Sequence, residues 1–572
     1  MAEWKIKNKD DGKNQIVVDK YNPLILALLR TRGIRTQEEI ESFFQFDYEK
    51  DLTDPMKVSG MEKAVGRIEE AKKNKEKITI FGDYDADGVT ATALLFDVLE
   101  ELEFENVNYY IPDRQIEGYG LNEEAIKFLK SGGTDLIITV DCGITAVEEV
   151  EMAKKLGMDV IITDHHHVPD KLPGALAVIN PHLPNSGFKF EELAGVGVAF
   201  KLAQAVYKKM APDKIDQLKW ALDLVAIGTI ADCVNLLGEN RVLVRYGLIV
   251  LSKTKRIGLQ EMFKVGRIDI SEDKIPDTHK IAFQIAPRIN AAGRMDHASV
   301  SYKLIIEKNR VKAREMALEV EVKNQDRQKI TSQIVKEVEI LAINSFKDKK
   351  FIFAQNEHWP VGILGLVAGK IADKFKKPTI VLQHQEKELV GSLRSIPEIN
   401  IMEVLEECSD ALERFGGHAQ AAGVRLKKEK ADRFYEKFER AIEKKAIKEK
   451  AVLVLEADLE IRAEDVDWEF VKELKMMEPF GMGNAEPVFV MKNLIIEDMK
   501  IVGNGNKHLK MSVRAKNGNP KIFDSIGFSM GDKFSDLKKG DVIDVVTTLS
   551  EDEWNGNKKI QLKLIDIRKS NL

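Results

Sequence analysis

"KITIFGDYDADGVTATALLFDVLEEL", residues 77–102, decides how the chain is read. An apolar, β-branched run leads into a small-residue, helix-like run, and Asp83, Asp85 and Asp87 stand at alternate positions between them. Carboxylates this close repel and raise one another's pKa, so something must neutralise them. The spacing predicts a strand ending at Phe81 and a helix beginning near Val89. Downstream, "VNYYI", "NEEAIKFLK", "DLIITV", "TAVEEVEMAKKLG" and "DVIIT" repeat the alternation. Strands that are apolar on both faces and alternate with helices predict an α/β fold built on a parallel, doubly wound sheet.

In such a sheet, groups just past the carboxyl ends of the strands converge on one crevice. Asp141 follows "DLIITV", Asp164, His165 and His166 follow "DVIIT", and Asp232 in "IGTIADCVNLLGEN" follows a further apolar run. Together these carboxylates and imidazoles call for divalent cations, and oxygen-rich ligation with some histidine suits manganese first and magnesium second. Two cations roughly 3.5–4 Å apart clamp a phosphoryl group and activate water for in-line attack. Singly, each element has an ordinary alternative. DxDxDG occurs in calcium loops, although an EF-hand wants later ligands ending in Glu. Asp141 is as readily a helix cap, and His165 to His167 a solvated tract.

At 572 residues the chain is too long for one core, and two to four domains are expected. A net charge of −6 gives no global basic footprint, so nucleic-acid contacts must come from local patches. Three scattered cysteines without a CxxC pair argue against a disulfide framework and a zinc-thiolate site. The start "MAEWKIKNKD" lacks a signal-like apolar stretch, and no run approaches the roughly 18 apolar residues of a membrane span. A soluble, cytoplasmic protein without membrane attachment is expected. The expected domains are an N-terminal extension packing on the core (1–75), the parallel-sheet domain (76–300), and a connecting helix read as a solvated connector (301–348). A second α/β domain (349–448) and a C-terminal domain of short strands (449–572) follow. The last, with Asn555-Gly556 in a hairpin-like position, reads as a small β-barrel of the OB-fold type.

The motifs "GDYDADG", "DCGI", "DHH" and "IADCVNLLGENRVLVRYGL", in this order, resemble those of the DHH phosphoesterase superfamily. "ELAGVGVAFKLAQAV", "PRINAAGRMDHAS", "GILGLVAGKIADKF", "GSLRS", "FGGHAQAAG" and "EPFGMGNAEPVF" resemble the bacterial RecJ single-strand-specific exonucleases in particular, from about residue 20 to the end. DHH with FGGHAQAAG alone is shared with oligoribonucleases and cyclic-dinucleotide phosphodiesterases, and some distant relatives have lost their metals and serve as scaffolds. The C-terminal domain and the intact acidic set favour the nuclease.

The resemblance implies that Asp85, Asp87, Asp141, His165 and Asp232 ligate two divalent cations, with Asp83 a ligand or water-orienting group. His166 would face the scissile phosphate, with Asp164 beside it in the catalytic group. Cys233 and Asn235 depart slightly from the fourth motif. Ser392, Arg394, Ser395, Gly417, His418 and Asn290, with Arg288 or Arg294, would bind the strand and its 5′-terminal phosphate. The implied activity is 5′→3′ digestion of single-stranded DNA to 5′ mononucleotides in repair and recombination. A single-stranded-DNA-binding protein and a helicase are the implied partners. Lys507, Lys510, Arg514, Trp554, Lys558 and Lys559 are the candidates for holding single strands on the C-terminal domain.

Overall fold

The computed structural model describes residues 3–7, 20–445 and 454–570, apart from 115, 504, 517–520, 532–533, 535 and 555. These residues form two compact units. One contains Leu52–Val234 with the chain from Gly238 onward to 445; the other contains the described residues up to Asp51, Asn235–Leu237 and those from 454 to the end.

The larger unit is built on the strands anticipated from their apolar runs: β1 (Ile78–Gly82), β2 (Val107–Tyr110), β3 (Leu136–Val140), β4 (Asp159–Thr163) and β5 (Ala177–Ile179). Every residue of β1 and β3 is buried, as continuous apolar strands require when helices cover both faces. All pairings are parallel, in the order β2-β1-β3-β4-β5. The winding reverses between β1 and β3, and the crevice beyond their carboxyl ends is where such sheets bind ligands. Helices α1 (Ala86–Glu101), α2 (Gly195–Met210) and α3 (Leu222–Ala231) pack together beside it. α1 starts three residues before the expected Val89, because Asp85 caps it and draws Asp87 and Gly88 into the first turn.

α4 (Ala286–Met295) precedes the long α5 (Arg310–Ser345). α5 starts at the Asn309 cap, whose side chain accepts from Val311 N and Lys312 N, so residues before 309 form no part of it. Nor is it only a solvated connector. Ala313, Ala317, Val320, Asn324, Thr331, Ile334, Val338 and Ala342 form a buried stripe at helical spacing. Exposed Val311, Leu318, Val322, Ile340 and Ile343 on other faces blur that periodicity in the sequence.

Beyond it lie β6 (Ile352–Asn356), α6 (Val361–Phe375), β7 (Thr379–His384), β8 (Glu388–Arg394), β9 (Arg414–His418) and β10 (Ala421–Lys427). The sheet runs β9-β10-β8-β7-β6, with only β6–β7 parallel. Ser392 and Arg394 therefore lie within a strand rather than after it, and "FGGHAQAAG" forms a hairpin.

The second unit divides the anticipated N-terminal extension. Its strand Glu3–Ile6 pairs in parallel with Val454–Ala457, and Ile25, Leu28, Leu29 and Ile40 share a core with Phe470, Phe489 and Phe523. The first part of the chain thus packs on the C-terminal strands, whereas Leu52 onward belongs with the parallel sheet. Those strands, β11 (Phe489–Val502), β12 (His508–Ala515), β13 (Ile522–Gly527), β14 (Val542–Trp554) and β15 (Asn557–Lys569), pair in the order β11-β12-β13-β15-β14, and β14 also pairs back to β11. Trp554 pairs with Asn557 at the end of the β14–β15 ladder. Asn555 and the Trp554 side chain lie outside the described residues.

Candidate metal and phosphate site

The carboxylates meet at the crevice because backbone geometry delivers each of them there. Asp85 Oδ1 accepts from Asp87 N at 2.9 Å and Gly88 N at 3.1 Å, so capping α1 and presenting a carboxylate are one act. Asp87 accepts from Gly195 N at 2.6 Å and Val196 N at 2.9 Å, the first amides of α2. A Cβ on Gly195 would sit 2.6 Å from Asp141 Cβ and Oδ1, so only glycine lets α2 approach this closely. Asp141 leaves β3 with φ of +60°, a left-handed conformation that aspartate tolerates better than most residues. Asp232 follows the last turn of α3, and β4 delivers Asp164, His165 and His166.

Donor atoms of Asp83, Asp85 and Asp141 lie within 4.8 Å of one another, as do those of Asp87, His165 and Asp232. His165 Nε2 is 3.1 Å from Asp141 Oδ1 and 3.5 Å from Asp232 Oδ2. Yet Asp83 Oδ1, Asp141 Oδ1 and His165 Nε2 are all buried without a hydrogen-bond partner among the described residues. Each such atom costs about 1–3 kcal/mol, and more when charged. Burial, then Asp85, drives the Asp83 carboxyl far above its ordinary range; burial, then Asp87, does the same to Asp141. Burial followed by Asp85 raises Asp87 to about 7, and burial followed by Asp87 raises Asp232 to about 9. Burial lowers His165 to about 4, so at neutral pH its ring is uncharged and has a lone pair to offer. This donor set fits oxygen-seeking divalent cations with one imidazole ligand.

Asp164 has a different task. Its fully buried carboxylate accepts from Ile144 N at 2.9 Å, His165 N at 2.8 Å and His166 N at 3.1 Å, and lies 2.8 Å from His166 Nδ1. It is therefore tied to His166 rather than left open to a cation. Burial works against the imidazolium, but Asp164 more than offsets this and raises His166 above its ordinary value. Tyr119, which the sequence did not flag, donates to the Asp141 carbonyl at 3.1 Å and lies 3.1 Å from His166 Nδ1.

A group of arginines flanks the acidic cluster. Burial, then Arg114 and Arg327, lowers Arg294 to about 9, with Asp85 opposing, and burial followed by Arg114 lowers Arg394. Among the described residues none of Arg114, Arg294 and Arg394 has an ion-pair partner. The Arg114 guanidinium lies 4.8 Å from the Tyr84 ring centroid. A Cβ on Gly365 of α6 would meet Arg394 Nη2 at 3.0 Å and Ser392 Oγ at 3.5 Å, so both side chains share the space that glycine leaves. Arg288 is otherwise engaged: its Nε bonds Glu321 at 2.7 Å and its Nη1 bonds the Gln284 carbonyl at 2.6 Å. Of the two arginines in "PRINAAGR", Arg294 is the one brought to the cluster, and Asn290 lines a cavity beside it. Ser395 donates to the Ile399 carbonyl at 2.7 Å and braces its loop. Gly417 and His418 lie in the exposed hairpin, and a Cβ on Gly417 would run into the Ala421 carbonyl. No hydrogen bond or ion pair joins His418 to the acidic cluster among the described residues. Arg114 sits in "IPDRQIEGYG", which has no hydrophobic period. The convergence of loops after parallel strands was the signal available for it and for Tyr119.

On the C-terminal strands, Arg514 is paired with Glu497, Lys558 with Glu551, and Lys559 with Asp524. Lys510 instead stands opposite Lys500 on one side and Ile526 on the other, and Ile526 pairs with Lys563. These three lysines cross four strands in one row without an ion-pair partner among the described residues. Exposed Lys507 adjoins His508, whose ring meets that of exposed Phe528 at 5.4 Å.

Three family models match the chain: the DHH family N-terminal domain over residues 77–229, the DHHA1 domain over 348–444 and the RecJ OB domain over 457–566. The single-stranded-DNA-specific exonuclease RecJ of Bacillus subtilis is 39% identical, over 98% of this chain and 70% of its own length. Its Haemophilus influenzae namesake is 33% identical, over 95% of this chain and 96% of its own. The crystal structure of RecJ in complex with Mn2+ from Thermus thermophilus superimposes with a TM-score of 0.78 at 27% identity, covering 96% of this chain and 76% of that one.

Proposed function

The chain belongs to the RecJ family, and on that premise we propose that it is a divalent-metal-dependent exonuclease of single-stranded DNA. It works from the 5′ end and releases 5′ mononucleotides, in cytoplasmic DNA repair and recombination. The observation that carries the reading is the set of buried, unpartnered acceptors at the sheet's switch point, beside arginines with no carboxylate of their own. Asp83, Asp85, Asp141, Asp87, His165 and Asp232 would hold two cations, manganese first and magnesium second. When bound, the cations neutralise the carboxylates, lower the pKa of a coordinated water and stabilise charge on the phosphoryl oxygens.

The chain's own groups do the rest. Asp164 fixes His166 through Nδ1 and favours its protonated form, leaving Nε2 to donate to the charge developing on the scissile phosphate. Arg394, Arg114 and Arg294 with Ser392 hold the 5′-terminal phosphate, since guanidinium suits bidentate phosphate contact. Cleavage of the bond between phosphorus and the 3′ oxygen of the first nucleotide leaves a new 5′ phosphate on the strand, the group the pocket needs for the next cycle. The row Lys500, Lys510 and Lys563, with Phe528, tracks the strand on the OB domain. A single-stranded-DNA-binding protein and a helicase supply the substrate. Digestion of 5′- and 3′-labelled single strands and duplex, with manganese, magnesium or chelator, tests this. Label released first from the 5′ end of single strands, and only with metal, is expected. First loss of the 3′ label, equal cutting of duplex, or activity in chelator would refute it.

A further inference from the structure

The cavity that Asn290 lines beside Arg294 opens between α3, α4, α5 and α6. Its volume is about 140 Å³, and Cys233, Ala282, Pro287, Asn290, Arg294 and Arg327 are among its walls. That is close to the roughly 150 Å³ that accommodates benzene in an engineered apolar cavity, room enough for a tetrahedral oxyanion. Here, however, Asn290, Arg294 and Arg327 interrupt an otherwise largely apolar lining. Two guanidiniums line the space, and among the described residues none of its lining is acidic.

Arg327 comes from the long helix, opposite Arg294. Its Nη2 donates to Asn324 Oδ1 at 2.9 Å, but its Nε is buried with no partner among the described residues. Its neighbour Arg288 adds a like charge, although Glu321 pairs with that arginine. Among the described residues Arg294 directs only Nη1 to a protein acceptor, the Gly362 carbonyl at 3.1 Å. Across the cavity the backbone makes one π-helical turn, Ile281–Ile285, whose Ala282 contributes a small wall residue; such turns recur at ligand sites. A buried cation without a counter-charge is costly, and two around one space are relieved together by a single anion.

We propose that this cavity is an anion site for phosphate or a phosphate monoester, separate from the Arg394 pocket and closed at the back by Arg327. Arg394, Arg114 and Ser392 are absent from its lining, whereas Arg294 stands at the boundary between the two spaces. The connecting helix thereby gains a direct contact with bound phosphate.

Calorimetric titration of the intact, metal-free protein with inorganic phosphate, at constant ionic strength and with chelator present, tests the site without requiring catalysis. Its outcome is therefore independent of the nuclease reading. Two phosphates per chain are expected, with one remaining in Arg394→Met and one in Arg327→Met. The lost site should be at least tenfold weaker in Arg327→Met and largely recovered in Arg327→Lys, whose matching melting curve controls for folding. Titration with a deoxynucleoside 5′-monophosphate identifies the source: tighter binding than phosphate at the Arg327 site marks the released product, and equal binding marks the free ion. Unchanged binding in Arg327→Met, a single wild-type phosphate that Arg327→Met still binds, or loss of all binding in Arg394→Met would overturn the proposal, whereas a single wild-type phosphate lost in Arg327→Met keeps this site and removes the Arg394 pocket.

Discussion

Removing divalent cations should make the stability of the parallel-sheet unit fall as pH rises, and metal should abolish that fall. The folded protein holds Asp87 at about 7, against an ordinary 3.8, with burial as the main cause and Asp85 second. A carboxyl whose folded pKa is raised stays protonated in the native state while the unfolded chain ionises. The unfolded state then binds fewer protons, and stability declines from pH 3.8 up to about 7 before levelling. The interval between 3.8 and 7, at 1.36 kcal/mol per pH unit, is about 4 kcal/mol for Asp87. Asp232, raised to about 9, extends the decline to that pH without adding in full, because protonating either group relieves the other. A bound cation takes the proton's place and removes the penalty. The assay is equilibrium urea unfolding between pH 5 and 9, with chelator or with manganese. The chelated midpoint should drop through this window, and the manganese-loaded midpoint should not. Asp232→Asn removes a carboxylate that makes no hydrogen bond among the described residues, so in chelator at pH 8 it should exceed the wild type in stability while losing nuclease activity. Parallel pH profiles with and without metal, or a chelated midpoint flat from pH 5 to 9, would refute the reasoning.

Three further outcomes are expected. Asp85→Asn keeps the cap of α1 and relieves Asp83 and Asp87 of a like charge, so it should lose activity without losing stability in chelator, whereas Asp85→Ala should be about 1 kcal/mol less stable than Asp85→Asn in denaturant melts; an active Asn variant would remove Asp85 from the metal site. Asp164→Asn withdraws the group that raises His166, so the alkaline limb of the kcat profile should move to lower pH, and an unmoved limb would separate His166 from the rate. Arg394→Met and Arg114→Met should each raise KM for 5′-phosphorylated strands roughly 10- to 100-fold, the size of a charged hydrogen bond, while leaving KM for 5′-hydroxyl strands nearly unchanged; equal losses on both substrates would place these arginines elsewhere along the strand.

Much of this molecule was legible without coordinates because the parallel sheet has a strong one-dimensional signature. β1, β3 and β4 are continuous apolar runs, and carboxylates placed just after them can go only to the crevice. The acidic residues with His165 were readable for that reason, and the motifs supplied the rest of the family reading. α5 was harder, since its buried stripe of alanine and valine is interleaved with exposed Leu318 and Val322, which gives the periodicity no single face. The side on which the N-terminal segment packs is not legible, because a short strand and two helices do not state which sheet will bury them.

By itself, then, the sequence determined which groups converge: local hydrogen bonding and strand patterning are written residue by residue, and the sheet's topology carries them to one edge. Only the tertiary structure could divide labour among neighbours of the same chemical kind. Asp164 and Asp141 both follow apolar strands, yet one is surrounded by amides and His166 while Oδ1 of the other accepts no hydrogen bond among the described residues. Arg288 and Arg294 lie six positions apart in one motif, yet Glu321 takes the charge of the first while the second stands among like charges. Which partner a charge meets depends on burial and on residues hundreds of positions away, and no local pattern encodes either.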